Sequence, residues 1–246
     1  MSQKIQSAVI MAAGMGTRLK HMGTQAPKGF LQLGDQPIIE ESLQRLRNEG
    51  INQIVIVTGH LDHFYENLKD KYPGLITTVH NNKYAESGSM YSLYLARETV
   101  QGSFLLLESD LIYEQRALSE ALAFGKDNVV MLSGTTHSGD EVYVQCKNGL
   151  LVNMSKNRTL LEDNIAGELV GISKISNDLY THMINYAEKR FTSTLHVDYE
   201  TDCLVGVAAH YPVYCHTIDD LLWSEIDDAS HLERASKIIY PVISNK

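Results

Sequence analysis

The first half of the chain alternates between two patterns. Short apolar runs are each followed by a stretch of helical spacing, and this limits the fold more than any other feature. SAVIMAAG (7–14), QIVIVTG (53–59), LITTVHN (75–81) and SFLLLESD (103–110) read as strands. PIIEESLQRLRNEG (37–50) reads as a helix: Pro37 suits the first turn, Ile38, Leu43 and Leu46 fall near helical spacing, and Gly50 ends it. Helices are also expected over 62–71, broken by Pro73-Gly74, and over 89–100. Strands apolar on both faces and alternating with helices predict a mostly parallel sheet covered on each side. After residue 110 the chain becomes strand-rich, over 128–134, 141–155 and 167–176, with a hairpin signal at Asn148-Gly149. Helices over 177–190, 200–209 and 230–238 follow. The predicted fold is α/β, with antiparallel strands from the second half lying over the carboxyl edge of the sheet, where open α/β sheets bind ligands. Without a linker or repeat, residues 1–246 read as one domain.

Composition excludes several classes of function. A formal net charge of −9 argues against nucleic acid or an anionic membrane as partner. No apolar run approaches the roughly 20 residues of a membrane span. The N-terminus lacks the apolar stretch of a signal peptide. Cys146, Cys203 and Cys215 are few, odd in number and widely spaced, so each reads as a small core residue and a cytoplasmic location is expected. The histidines, His231 among them, show no metal-ligand spacing and read as surface or core residues.

The first apolar run stops at a glycine pair, in VIMAAGMGTRLKHMGTQAPKGF (9–30). Leu19 stands where the dinucleotide fingerprint needs its third glycine, and no Gly-Lys-Ser/Thr triplet closes a P-loop. The turn is therefore a phosphate loop of another kind. Gly14 and Gly16 let backbone amides approach a phosphate, Arg18 can fork onto phosphate oxygens, and Lys20 and Lys28 add positive charge. LLLESDLIY places Glu108 and Asp110 on one face of a strand end, and SEIDDASHLER (224–234) brings Glu225, Asp227 and Asp228. Helix capping is the structural alternative for both acidic groups: Asp110 before a helix-like run, Asp228 or Ser230 before the last helix. No G-x-S-x-G elbow is present. Phosphate cations and acids without a covalent nucleophile point to direct phosphoryl or nucleotidyl transfer.

AAGMGTRL, Pro27-Lys28 and then FLQLGDQPIIEESLQRLRNEGINQIVIVTGH resemble the N-terminal half of nucleotidyltransferases that activate sugar or alcohol phosphates, whose pattern is AAG-x-G-x-R-L, PK and a Gly-x-x-Pro turn. HNNKYAESGSMYSLYLARE (80–98), LLLESD and SEIDDASHLERA extend the resemblance to small CTP-dependent cytidylyltransferases acting on phosphocholine or 2-aminoethylphosphonate. The resemblance implies a Rossmann-like, GT-A-like sheet, with residues 1–110 as a nucleotide-binding half and 111–246 as an acceptor-binding half. It implies CTP with its base near Ala12, Ala13 and Ser87-Gly88-Ser89, its triphosphate along Gly14, Gly16, Thr17 and Arg18, and Mg²⁺ on Asp110 and Asp227. It makes Arg18 and Lys28 the catalytic cations.

The acceptor is read from departures. Val142 in GDEVYV stands where an aromatic cage for a quaternary ammonium would place tryptophan, and the only tryptophan is Trp223. DYETD keeps Tyr199 but follows it with Glu200. Asp140, Glu141 and Glu200 suit a primary ammonium, and Lys156 suits a phosphonate. The expected acceptor is 2-aminoethylphosphonate. The alternatives are phosphocholine or a sugar 1-phosphate, and a regulatory module that binds nucleotide without catalysis. The oligomeric state stays open, and a homodimer is compatible with the sequence.

Overall fold

The structure, a computed structural model, describes residues 5–19 and 25–244, so Lys20 lies outside the described residues. Strands β1 (Ser7–Ala12), β2 (Gln53–Thr58), β3 (Ile76–His80) and β4 (Phe104–Glu108) are parallel and lie in the order β3-β2-β1-β4. β5 (Leu111–Tyr113) follows β4 at once, so the residues after Asp110 form a strand rather than a helix. The remaining strands are β6 (Val129–Ser133), β7 (Tyr143–Lys147), β8 (Leu150–Ser155), β9 (Ile165–Ile175), β10 (Tyr214–Ile218) and β11 (Trp223–Glu225). The main sheet continues β4-β9-β6-β10-β8-β7.

The fold class is the expected one, a GT-A-like α/β sheet with antiparallel strands from the second half. Their position differs from expectation. β9 is inserted into the sheet, antiparallel to both β4 and β6, instead of lying over its edge. Only β5 and β11 form a separate two-stranded ladder. Asn148 and Gly149 take φ 55° and 75° at the β7–β8 turn, the left-handed pair that a tight hairpin requires.

Helices α1 (Ile38–Asn48), α2 (His63–Lys71) and α4 (Arg116–Ala123) cover one face, and α3 (Ser89–Leu95) and α5 (Asn177–Phe191) the other. Strand alternation divides the core between these faces. Ala8, Ile10 and Ala12 of β1 pack with Ile39, Leu43 and Leu46, whereas Val9 and Met11 pack with Met90 and Leu93. In α1, Glu40 and Glu41 lie in the first turn and Arg45 and Arg47 in the last, each favoured by the helix dipole. A C-terminal helix, α6 (Ala229–Arg234), is capped by Asp228, which accepts from the Ser230 and His231 backbone N–H groups.

One cysteine expectation is overturned. Cys146 of β7 and Cys215 of β10 form a disulfide, because the Cys215 N–H donates to Gly149 O (2.9 Å) and seats the hairpin turn against β10. Only Cys203 is a free, buried cysteine. Cysteine spacing therefore gives no argument for a reducing compartment. Among the described residues, no helix is long and apolar enough to cross a membrane.

Candidate active site

The glycine turn leaves β1 at Ala12, which is buried, and Ala13 follows. Gly14 has open space around it and Gly16 takes φ 62°, so the two glycines give an open, left-handed turn. Thr17 and Arg18 lie in a short 3₁₀ turn closed by buried Leu19. Pro27-Lys28 enters a second 3₁₀ turn (Lys28–Phe30). Gly29 sits so close to β4 that a Cβ there would lie 2.9 Å from Ser109 O. This approach brings the Lys28 ammonium to Asp110 Oδ2 (2.7 Å) and Asp227 Oδ1 (2.5 Å).

The β5–β11 register explains why those carboxylates meet. Glu225 pairs with Leu111, and the Ile226 N–H donates to Asp110 O (3.1 Å), so Asp227 must lie beside Asp110. Glu225 joins them, with one carboxylate oxygen from each residue within 4.8 Å of the others. All-oxygen donors of this kind suit Mg²⁺. Asp110 Oδ1, Asp227 Oδ2 and the Glu225 carboxylate have no hydrogen-bond partner among the described residues, so they fit a metal even with Lys28 in place. Burial lowers the Lys28 ammonium, but Asp110 and Asp227 outweigh this and hold it above the ordinary lysine range.

Arg18 also reaches these acids. Its Nη1 donates to Asp140 Oδ2 and its Nη2 meets Asp227 Oδ1, both at 2.7 Å. Asp140 takes Lys156 Nζ on its other oxygen (2.9 Å). Burial would raise the Asp140 carboxyl, but the two cations hold it at about 2. Asp140 thus bridges Arg18 and Lys156. Glu141 lies in the same wall and accepts the Gly139 N–H (3.0 Å).

The acidic wall of the cavity, which has a volume of about 230 Å³, is formed by Glu108, Glu200 and Glu225, with Val142 also lining it. Tyr199 is buried and donates to Glu200 Oε1 (2.8 Å). None of the three glutamates has a cation within 4 Å among the described residues. Burial, then Glu200 and Asp110, pushes the Glu108 carboxyl well up. Burial, then Asp110 and Asp227, does the same to Glu225. Burial raises Glu200 to about 7 despite the Tyr199 hydrogen bond.

The Ser87-Gly88-Ser89 segment joins the two halves of the site. Ser87 Oγ donates to Lys83 O (2.8 Å) and accepts from buried Asn81 (3.1 Å). The Gly88 N–H donates to Leu195 O (2.9 Å), and a Cβ at Gly88 would clash with the Val197 backbone, so this glycine serves close packing. Ser89 Oγ accepts the Tyr199 N–H (3.0 Å) and donates to Asp198 (3.4 Å). Ser89 thus positions Tyr199 and, through it, Glu200.

Sequence reasoning placed Glu108 and Glu225 near the site without assigning them roles, although strand alternation and the acid run carried the signal. It read His231 only as a surface or core residue. That imidazole is buried, accepts the Asp227 N–H at Nδ1 (3.4 Å) and meets Ser138 O with Nε2 (3.3 Å). Nε2 must then carry the proton, since the facing carbonyl only accepts. No local pattern distinguishes such a histidine from a core residue.

A larger hollow, of about 1000 Å³, lies at the opposite end of the strands, where Lys174 donates to Phe124 O (2.6 Å) after the last turn of α4. It contains none of the loop or acidic residues above. A family model for the MobA-like NTP transferase domain matches residues 8–169. The chain is 26% identical to a choline-phosphate cytidylyltransferase of Streptococcus pneumoniae, over 94% of this chain and 97% of that protein. It is 27% identical to a 2-aminoethylphosphonate cytidylyltransferase of Lancefieldella rimae, over 92% and 90%. The inositol-1-phosphate CTP transferase structure from T. maritima shares the fold, with a TM-score of 0.83 at 19% identity, covering 99% of this chain and 97% of that one.

Proposed function

The chain belongs to the family of MobA-like NTP transferase domains, and on that premise we propose that this nucleotidyltransferase moves the CMP of CTP onto a small ammonium-bearing phosphonate or phosphate, with 2-aminoethylphosphonate the expected acceptor. The observation that carries this reading is the acidic wall. Glu108, Glu200 and Glu225 line one cavity and none has a cation within 4 Å among the described residues, and half-buried carboxylates of this kind call for one. Val142 supplies no aromatic face, so the wall suits an ammonium with N–H donors better than a quaternary one. The relatives named for choline phosphate and for 2-aminoethylphosphonate fit the same general chemistry.

The triphosphate lies along Gly14 to Arg18, with the base beside Ala12, Ala13 and the segment from Ser87 to Ser89. An acceptor oxygen, held by Lys156, attacks the α-phosphorus in line. The new oxygen–phosphorus bond forms as the bond to the β-phosphate oxygen breaks, and pyrophosphate leaves. The acceptor oxyanion is already ionised, so no general base is needed. Lys28 offsets charge on the five-coordinate phosphorus and Arg18 holds the leaving pyrophosphate. Asp110 and Asp227 would hold Mg²⁺, which supplies Lewis-acid charge neutralisation when bound.

The test is a pyrophosphate-release screen of CTP, UTP and dTTP against 2-aminoethylphosphonate, phosphocholine and sugar 1-phosphates. CTP with the primary-amine acceptor is expected to lead, and Lys28→Ala to lower kcat about 10²–10³-fold. Near-full activity in Lys28→Ala, or a preference for a sugar phosphate, would refute the reading. CTP binding without turnover of any acceptor would indicate a regulatory module instead.

A further inference from the structure

The acidic residues and Lys156 account for an ammonium and a phosphorus oxyanion, but another part of the cavity wall has no assigned use. It is formed by Arg234, Trp223 and Thr136. The other two cations lining the cavity, Arg18 and Lys156, are both bonded to Asp140. Arg234 has no carboxylate within 4 Å among the described residues. Only its Nη1 is engaged, with Ser224 Oγ (3.2 Å) and Trp223 O (3.5 Å). Glu168 and Glu141 are the acids whose fields reach it, and burial still draws the guanidinium below the usual arginine range. Both acids have other contacts: Glu168 Oε2 accepts the Thr136 N–H (2.9 Å) and Glu141 accepts the Gly139 N–H.

Two neutral donors accompany the guanidinium. Trp223 is 8% exposed, and its indole Nε1 is buried without a partner among the described residues. Thr136 Oγ1 is buried and unpaired as well. Buried donors without acceptors are destabilising, so a pair of them beside an unpaired guanidinium marks a place for an anion. Glu168 Oε1 is also unpaired, and a water shared between it and Thr136 is the rival explanation.

We infer that this wall is a carboxylate subsite, in which Arg234, with Trp223 Nε1 and Thr136 Oγ1 as further donors, binds a carboxylate carried by the acceptor in addition to its ammonium and its phosphorus oxyanion. The inference rests on the proposed function and narrows its substrate class to phosphono or phospho amino acids. A guanidinium matches a carboxylate through two parallel N–H groups, which an ammonium cannot do. The acidic wall then faces the amine and the Arg234 wall faces the carboxylate, so a zwitterionic carbon skeleton is oriented by charge. The bonds made and broken at phosphorus are unchanged.

Matched acceptors test this. Initial rates of pyrophosphate release with CTP and Mg²⁺ compare 2-amino-3-phosphonopropionate with 2-aminoethylphosphonate, and O-phosphoserine with O-phosphoethanolamine. Within each pair the members differ by one carboxylate. The expected result is a kcat/KM at least about tenfold higher for the carboxylated member, tenfold being 1.4 kcal/mol. Arg234→Gln should bring that ratio to about one, and Arg234→Lys should restore part of it. If the wild-type protein uses the member lacking the carboxylate equally well or better, the inference is overturned while the proposed function stands. If no ammonium-bearing acceptor is turned over at all, the proposed function fails and takes the inference with it. The wild-type comparison decides the question even where the Arg234 variants do not fold.

Discussion

Glu200 gives the sharpest test of the acidic wall, because burial pushes its carboxyl up to about 7, from 4.5. An ammonium is attracted only by the ionised form. With a pKa of about 7, the ionised fraction is about 0.9 at pH 8 and about 0.1 at pH 6, so the acceptor's KM should rise about tenfold across that interval. Glu200→Gln keeps the shape but cannot ionise. The ratio of KM values, variant over wild type, should therefore be about tenfold or more at pH 8 and fall toward one at pH 6. Both proteins meet the same acceptor, so its own titration cancels in the ratio. The assay is steady-state pyrophosphate release with 2-aminoethylphosphonate at saturating CTP. A ratio that does not change with pH would refute the reasoning. Stability follows with a defined sign. The folded pKa is raised, so the protonated carboxyl contributes stability below pH 4.5, and this is lost as pH rises to about 7. The loss is on the order of 3 kcal/mol, read as a fall in Tm.

Three further perturbations are informative. Asp140→Asn releases Arg18 and Lys156 from their shared carboxylate, so pyrophosphate should bind several-fold more tightly by calorimetry; weaker binding would argue that Asp140 meets the ligand directly. Gly29→Ala places a methyl 2.9 Å from Ser109 O, which should cost about 1–3 kcal/mol in thermal denaturation and lower kcat by shifting Lys28; an unchanged Tm would contradict that close approach. His231→Ala removes the acceptor of the Asp227 N–H, so the Mg²⁺ concentration for half-maximal rate should rise about 10–100-fold. His231→Asn should recover part of this, whereas a role confined to folding would lower Tm and leave the Mg²⁺ requirement unchanged.

Legibility in the sequence followed the range of the physics involved. β1, β2 and β4 were readable because strands buried on both faces are apolar throughout, and the β7–β8 turn because Asn148-Gly149 tolerates φ above zero. The Asp110–Asp227 pairing came from resemblance, since nothing local joins two acids so distant in sequence. β5 and β11 have three residues each, too few for periodicity to register. The insertion of β9 between β4 and β6 is a matter of partner choice, which a strand's own pattern does not encode. The Cys146–Cys215 bond has the same origin. Glu108 and Glu225 could be located but not assigned, because their significance lies in the absence of a counter-charge, which only the packed cavity reveals.

The β5–β11 ladder also bears on when the site comes into being during folding. Glu225 is seated across from Leu111, and the Ile226 N–H fastens Asp227 beside Asp110, so the acid centre closes only when the two ends of a long loop meet. Such closure is entropically late compared with the local pairing of β1 and β2. A chain with a well-formed glycine turn but an undocked C-terminal segment would carry Arg18 and Lys28 without the Asp110–Asp227 pair. Catalytic competence is thus a report on completed folding, withheld until this long-range contact has formed.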